Sequence, residues 1–183
     1  MKQIKRETYL SQIRKYYELD LIKVLTGVRR CGKSIILKQI IEEIKSSTDE
    51  KHIVYINFED FEFEEIDTAK KLNEFVKSKI SDSEKYYLFF DEIQHVKDFE
   101  KVLASFRATL NCSIFVTGSN SKLLSGELAS LLVGRTVEFK IMPFSYLESI
   151  QLYKENNKEI PEDFIYDYIK WGGLPQRFEF SEE

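Results

Sequence analysis

Two hydrophobic patterns alternate along the first 145 residues of the chain. Short runs of consecutive apolar residues are typical of buried strands, and apolar residues spaced three and four apart are typical of helices. The strand pattern covers residues 21–26, 52–58, 85–91, 113–117 and 136–142, and the helix pattern covers residues 7–17, 35–45, 68–80 and 97–110. This alternation predicts an α/β fold, in which a mostly parallel sheet carries helices on both faces. Ligands of such sheets bind at the carboxyl ends of the strands.

The pattern changes after Pro143, where only helical spacing continues, over residues 146–156 and 161–171. Pro161 supplies a helix start, and Gly172-Gly173 followed by a proline supplies a stop. We therefore predict a core over residues 1–145 and a helical segment over residues 146–183, which begins a lid or a further C-terminal domain. We expect the aromatic side chains of this segment to be packing residues rather than a binding surface, namely Trp171, Phe178 and Phe180.

Composition and charge narrow the class of protein. The chain has 183 residues, 43% of them hydrophobic, and a formal net charge of −4. Its lysines are dispersed among glutamates, so charge gives no support for direct nucleic-acid binding. An apolar signal core is lacking at the N-terminus and no apolar stretch approaches the ~18 residues of a membrane span, so we expect a cytoplasmic protein. Cys31 and Cys112 are expected to be free thiols, and His52 and His95 lack the neighbours of a metal site.

Residues 27–34 read Gly-Val-Arg-Arg-Cys-Gly-Lys-Ser, a phosphate-binding GxxxxGKS loop between a predicted strand and a predicted helix. Such a loop turns its backbone N–H groups inward, and the following helix adds the positive end of its dipole. Lys33 would reach the β- and γ-phosphates, and the Ser34 hydroxyl would complete the shell of a Mg2+ ion. The competing interpretation is a glycine turn that happens to carry a lysine. The residues predicted to bind nucleotide are Gly27, Val28, Arg29, Arg30, Cys31, Gly32, Lys33 and Ser34.

Two adjacent carboxylates end the apolar strand Tyr87-Leu88-Phe89-Phe90, in the form of a Walker B motif followed by a glutamate. A buried strand makes Asp91 a rigid and poorly solvated anchor, which suits a Mg2+ ligand. Glu92 is the next residue along the chain, so its side chain points in a different direction from that of Asp91. It is placed to polarise an attacking water. Combined with the phosphate-binding loop, the pair predicts a hydrolytic site.

Three polar residues near other strand ends are further candidates. Ser119 and Asn120 follow the strand that ends at Thr117, where a small polar side chain could orient the attacking water. An ordinary turn explains them equally well. Asn57 could hydrogen-bond Glu92, although a turn asparagine is the simpler interpretation.

Arginines could supply positive charge to the site. Arg135 is the best candidate for a cation that stabilises the transferring phosphoryl group, either within one chain or across a subunit boundary. The alternative is a surface arginine that pairs with Glu138 or Glu127. Arg29 and Arg30 occupy variable positions of the phosphate-binding loop, where they could touch phosphate or a neighbouring acidic residue.

Taken together, these motifs resemble a known family. The loop at residues 27–34, Phe-Phe-Asp-Glu-Ile-Gln at 89–94, Thr-Gly-Ser-Asn at 117–120, Gly134-Arg135 and Gly-Gly-Leu-Pro at 172–175 are similar to those of AAA-type ATPases common in bacteria and archaea. In that family a C-terminal domain of unknown function usually follows the ATPase module. The resemblance implies an extra strand between those that bear Lys33 and Asp91. It also implies ATP hydrolysis coupled to movement of a partner or an appended domain.

The sequence thus predicts Mg2+-dependent ATP hydrolysis that drives a switch or motor, with a homo-oligomer or another protein as partner. One rival is a P-loop kinase, which transfers phosphate to an acceptor under a lid; adjacent Asp91 and Glu92 favour hydrolysis instead. Another rival is a regulator that binds nucleotide without hydrolysing it, against which an intact Glu92 counts. ATP is favoured over GTP because the chain contains no Asn-Lys-x-Asp guanine motif.

Overall fold

Five parallel strands form one sheet in the computed structural model, which describes residues 2–118, 132 and 134–179. The strands are β1 (Ile22–Thr26), β2 (Ile53–Asn57), β3 (Tyr86–Asp91), β4 (Cys112–Thr117) and β5 (Thr136–Lys140). Their spatial order is β2-β3-β4-β1-β5, and Val24 on β1 lies opposite Val116 on β4 and Glu138 on β5. The predicted parallel sheet is confirmed. Strand β4 is the extra strand between the one before Lys33 and the one that ends at Asp91.

Six α-helices accompany the sheet in the described part of the chain. They are α1 (Glu7–Ile13), α2 (Lys33–Lys45), α3 (Ala69–Lys79), α4 (Phe99–Thr109), α5 (Tyr146–Glu155) and α6 (Phe164–Trp171). The first is shorter than predicted because the chain tightens into a 3-10 turn, in which the Tyr17 N–H donates to the Arg14 carbonyl. The last strand also ends early, since the Met142 N–H donates to the Tyr9 hydroxyl instead of joining the sheet.

Side chains of each strand alternate between two hydrophobic cores, one on each face of the sheet. Along β3, Tyr86, Leu88 and Phe90 enter the core under α3 and α4, while Tyr87 and Phe89 enter the core under α1 and α2. The predicted covering of both faces is therefore confirmed. Because every strand is buried on at least one face, the strand ends are held rigidly, which matters for the side chains that follow them.

A third, smaller core packs the helical segment against the N-terminal residues and against the chain that follows β5. It contains Ile4, Phe144, Leu152, Phe164 and Phe178. The N-terminal residues therefore pack with the segment that follows β5, although the two are far apart in the sequence. None of the described helices is long and apolar enough to cross a membrane.

The Gly-Gly-Leu-Pro motif fixes the close approach of two backbone segments in this small core. The Phe144 N–H donates to the Gly173 carbonyl at 2.7 Å. A Cβ atom on Gly173 would overlap the Phe144 carbonyl oxygen, so only glycine allows this approach. The motif therefore anchors the end of α6 to the chain that leaves β5.

The expectation that the aromatic residues of the helical segment pack inside holds for Phe178, which is 8% exposed. It is wrong for Trp171, which is 63% exposed at the end of α6, with the Lys170 ammonium 4.8 Å from its ring centre. Phe180 lies outside the described residues. Cys31 and Cys112 are free thiols, as predicted.

Candidate functional site

The phosphate-binding loop joins the end of β1 to the start of α2. Gly27 and Gly32 have φ values of 152° and 101°, conformations that L side chains rarely adopt. A Cβ atom on Gly27 would overlap the Ile141 carbonyl oxygen and would lie 2.8 Å from the Cys31 Sγ. The glycine at this position is therefore required by the close packing of the loop against the chain that follows β5. Helix α2 begins at Lys33, so its N-terminal N–H groups face the loop.

Lys33 occupies a buried position with weak partners. Its side chain is 4% exposed, and its ammonium donates to the carbonyls of Gly27 and Val28 at 3.3 and 3.5 Å. The third partner is the Glu92 Oε1 at 3.6 Å. These distances are long for hydrogen bonds of a charged group, for which about 2.8 Å is usual. The ammonium is therefore available to an anion that offers shorter contacts.

Asp91 is fixed at the end of β3 by two hydroxyl groups. It is 2% exposed, and the Thr117 hydroxyl at the end of β4 donates to its Oδ1. The Tyr55 hydroxyl donates to its Oδ2 at 3.4 Å. Burial and the adjacent Asp91 carboxylate raise the pKa of Tyr55, so this phenol remains a donor at neutral pH. Both oxygens of Asp91 are thus oriented before any ligand binds.

Glu92 turns away from the strand that precedes it. Its φ of 56° is in the left-handed region, which is uncommon for a residue other than glycine, and its N–H donates to the Thr117 Oγ1 at 2.9 Å. One carboxylate oxygen faces Lys33, and the other accepts a 2.5 Å hydrogen bond from the Gln94 amide. The adjacent carboxylates of Asp91 and Glu92 therefore have separate partners.

The donor set of this edge fits a magnesium ion bound together with a phosphate ligand. Ser34 and Asp91 offer a hydroxyl and a carboxylate, the hard oxygen ligands that Mg2+ prefers. Among the described residues, histidine, cysteine, aspartate and glutamate form no group of three or more that could enclose a metal. Two protein ligands suit Mg2+ because it retains several waters and commonly binds through substrate phosphates.

Three other residues of the predicted nucleotide-binding set have different surroundings. Val28 is 54% exposed, whereas Cys31 is fully buried. Arg29 pairs with an acidic neighbour, since its Nη2 lies 3.4 Å from the Glu59 Oε1 on the loop after β2. Both side chains of that pair are exposed, so it contributes little to stability.

Arg30 connects the phosphate-binding loop to the helical segment. Its φ of 67° is left-handed, and its Nη1 donates to the Gln176 Oε1 at 2.6 Å. Sequence analysis offered two options for this side chain, a phosphate or an acidic neighbour, and its protein partner here is an amide and not a carboxylate. Its partner comes instead from the turn that follows the Gly-Gly-Leu-Pro motif.

The remaining predicted residues lie elsewhere. The Asn57 Oδ1 accepts from the Glu59 N–H, so this residue is the turn asparagine of the simpler interpretation. Arg135 is exposed and its carbonyl accepts from the Ile22 N–H at the start of β1. Five residues of β1 therefore separate it from the loop, or about 16 Å of strand, which leaves a role within one chain without geometric support. Ser119 and Asn120 lie outside the described residues.

Sequence reasoning missed Arg6, which is 2% exposed and links three parts of the molecule. Its guanidinium donates to the Cys31 carbonyl in the phosphate-binding loop at 3.0 Å, and to both carboxylate oxygens of Glu148 on α5 at 2.8 and 3.1 Å. It also lies over the rings of Tyr9 and Phe144. A single arginine among charged N-terminal residues carries no pattern that could have revealed this.

Thr117 was also missed as a site residue, although its motif was noted. It is fully buried and binds both carboxyl-bearing residues at the end of β3. Its position at the end of the strand beside β3 was the available signal, because neighbouring parallel strands end at the same edge.

Comparison with known proteins agrees with this geometry. The sequence profile of a family described as an AAA domain matches residues 20–150, which include the loop and the carboxylates. The chain belongs to this AAA domain family. An uncharacterised protein of Haemophilus influenzae is 40% identical over 175 residues, covering 94% of this chain and 44% of its own length. The uncharacterised protein MJ1544 of Methanocaldococcus jannaschii is 37% identical over 163 residues, covering 85% of this chain and 36% of its own. This AAA chain thus spans less than half the length of these relatives.

Solved structures share the fold at low sequence identity. The chain is similar to AMPPCP-bound DnaA from Aquifex aeolicus, with a TM-score of 0.66 and 17% identity, over 97% of this chain and 60% of that one. It is also similar to Cdc6p from Pyrobaculum aerophilum, with a TM-score of 0.59 and 12% identity, over 85% of this chain and 50% of that one. At these identities the likeness extends to the fold alone.

Proposed function

We propose that the chain is a Mg2+-dependent ATPase module whose hydrolysis cycle moves a partner protein or an appended domain. The observation that carries this proposal is the 3.6 Å pairing of Lys33 with Glu92 at the mouth of the phosphate-binding loop. The pairing brings a phosphate-binding cation and a carboxylate base to one point. Membership of the AAA domain family supports nucleotide as the ligand.

The side chains then divide the work of hydrolysis. The loop N–H groups and Lys33 hold the β- and γ-phosphates. Ser34 and Asp91 would hold Mg2+, which would supply positive charge beside the phosphate oxygens. Glu92 accepts a proton from the attacking water. Before nucleotide binds, Lys33 contacts this carboxylate; once Lys33 turns to the phosphates, the Glu92 Oε1 is free to accept that proton.

Movement of the phosphate-binding loop can reach the helical segment through two contacts. Arg6 joins the Cys31 carbonyl to Glu148 on α5, and Arg30 joins the loop to Gln176. The loop contributes the Cys31 carbonyl to the first contact and the Arg30 side chain to the second. We propose that nucleotide-dependent changes in the loop alter the position of the helical segment and of whatever is attached to it or bound by it.

The test of hydrolysis is Glu92→Gln, which keeps the shape of the side chain and removes the base. We expect ATP affinity to stay within about threefold and phosphate release without any added acceptor to fall at least about 100-fold. Equilibrium binding and phosphate release measure the two effects. Glu59→Gln is the matched control, because Glu59 is a half-exposed carboxylate on the neighbouring loop. A Glu92→Gln protein that hydrolyses ATP normally would contradict the proposal, and phosphate transfer only to an added acceptor would favour a kinase.

A role for Arg135 across a subunit boundary forms part of the proposal. It requires turnover per chain to rise with protein concentration and Arg135→Ala to lose turnover while retaining ATP affinity, because the cation meets charge that grows only in the transition state. Mixing Arg135→Ala with Glu92→Gln should restore part of the activity, since some interfaces then pair an intact arginine with an intact glutamate. Unchanged hydrolysis by Arg135→Ala at every concentration would make it a surface arginine.

A further inference from the structure

Gln94 contacts the carboxylate to which we assign the base. It lies in the 3-10 turn Ile93–His95 directly after β3, and its Nε2 donates to the Glu92 Oε2 at 2.5 Å. This is a shorter contact than the one between Lys33 and the other carboxylate oxygen, which spans 3.6 Å. The Gln94 amide is therefore the closest side-chain partner that the described structure gives Glu92.

The orientation of this amide follows from its surroundings. Reversing it would place the Gln94 Oε1 against the Glu92 carboxylate, where two acceptors repel each other, so the N–H group must face Glu92. In the observed orientation the Gln94 Oε1 is buried, and it is the buried side-chain atom without a hydrogen-bond partner among the described residues. Buried polar atoms are rarely left in this state, and exceptions often have a functional explanation. Satisfying its own polar atoms is thus a poor reason for a glutamine here.

The contacts of Glu92 separate into fixed and movable ones. Its backbone is held by Thr117, and its Oε2 is held by Gln94, which lies on the same turn. Among the described residues, its Oε1 is held by the weak contact with Lys33 alone. When a triphosphate attracts Lys33, the Oε1 loses this partner, and the contact with Gln94 remains.

We propose that Gln94 is a positioning residue. It keeps the Glu92 carboxylate oriented to accept a proton from the attacking water after Lys33 has moved to the phosphates. This inference rests on the proposed ATPase function. It assigns to Gln94 no contact with nucleotide, so it predicts an effect on kcat with little effect on ATP affinity. A merely structural glutamine would instead change folding stability, and affinity and kcat would fall with it.

The test is Gln94→Leu in the 183-residue chain. Leucine has a similar volume and removes both the donor and the unpartnered oxygen. The Glu92 Oε2 loses a partner and the buried Gln94 Oε1 is removed, and because these two effects oppose each other we expect the urea midpoint to change little. We expect kcat for ATP to fall about 10-fold or more and the ATP Kd to stay within about threefold, because an interaction made through the base acts in the transition state. Gln151→Leu is the matched control, since Gln151 on α5 donates to the Glu155 Oε1 at 2.6 Å far from the site. The control should leave kcat, Kd and urea unfolding unchanged.

A double variant separates positioning from a general structural effect. In the Glu92→Gln background the carboxylate is absent, so adding Gln94→Leu should change the residual rate by less than about twofold. A further 10-fold loss in that background would overturn the inference, as would a Gln94→Leu protein with unchanged kcat or with kcat, Kd and stability all lowered together. An unmodified chain that binds ATP and never hydrolyses it would overturn the proposed function and this inference with it. Failure of the Gln94 variant alone leaves the proposed function standing.

Discussion

Two buried lysines lie at opposite ends of β1 and behave differently. Lys23 is fully buried within the strand, near the edge where the strands begin. Its ammonium donates to the Ser113 Oγ at 2.7 Å and to the Leu19 carbonyl at 3.1 Å. Lys33 lies just beyond the other end of the strand, and its three acceptors are 3.3 to 3.6 Å away. Burial alone therefore does not distinguish the two lysines; the length of their contacts does.

Two partly buried carboxylates show the same contrast. Glu43 on α2 accepts short hydrogen bonds from Arg14, Lys5 and Tyr17, which close it within a network beside α1. Glu92 has one short partner and one loose one. A group with a complete set of short contacts is held in place, whereas a group held loosely on one side is free to meet a ligand. The comparison yields three predictions, ordered by the size of the expected effect.

Lys33→Ala should produce the largest effect, on binding. Removing the ammonium should weaken ATP binding at least about 100-fold, since hydrogen bonds from a charged group to phosphate contribute about 1.5–3 kcal/mol each. The free energy of unfolding without nucleotide should change by less than about 1 kcal/mol, because the lost contacts are long. Titration with ATP and urea unfolding measure the two quantities. If Lys33→Ala binds ATP normally, the loose contacts do not mark a ligand site.

Lys23→Met should have an intermediate effect, on stability. Burial lowers the pKa of Lys23 to about 8, so the charged form is unfavourable in the folded protein. A methionine side chain occupies a similar space without a charge. We expect it to raise the free energy of unfolding by about 1–2 kcal/mol at pH 7. ATP affinity should remain the same.

The gain from Lys23→Met should depend on pH in a defined direction. Below pH 8 the lysine is charged in both states, and its burial cost is complete. Between pH 8 and the ordinary pKa of 10.5 the folded protein loses this proton first, so the unmodified protein gains stability as pH rises. The difference between the two proteins should narrow over that range in unfolding measurements. A difference that stays constant from pH 7 to pH 10 would contradict the assignment.

Glu43→Gln should have the smallest effect. The hydrogen bond from Arg14, assisted by Lys5 and Tyr17, lowers the pKa of Glu43 to about 2, which outweighs the opposing effect of partial burial. The unmodified protein should therefore be more stable at pH 7 by about 1 kcal/mol, and this advantage should disappear as pH falls from 4.5 through 2. ATP hydrolysis should not change. A turnover defect in Glu43→Gln would contradict the distinction between a carboxylate with several short contacts, such as Glu43, and one that is held loosely on one side, such as Glu92.

The fold was largely predictable because its signals are local. Apolar runs fixed the five strands, and their alternation with helical spacing fixed a parallel sheet. The glycines of residues 27–34 and the carboxylates after Tyr86–Phe90 also carry their meaning in a few consecutive residues. The structure places Lys33, Asp91 and Glu92 at one edge, while their chemical roles remain predictions.

Contacts between distant residues were beyond the reach of the sequence. Arg6 meets Glu148 across 142 positions, and Thr117 meets Asp91 across 26, so periodicity cannot reveal either pair. The exposure of Trp171 likewise cannot be derived from spacing, because Trp171 lies on the same face of α6 as the buried Phe164.

What the sequence determined by itself is therefore the backbone path and the residue types delivered to the carboxyl edge of the sheet, because dihedral preferences and hydrophobic spacing act over a few residues. Only the tertiary structure decided which of two buried lysines is closed by short contacts and which is loosely held. That distinction depends on atoms brought together from separate strands and helices, at distances where a few tenths of an ångström decide whether a charge is satisfied.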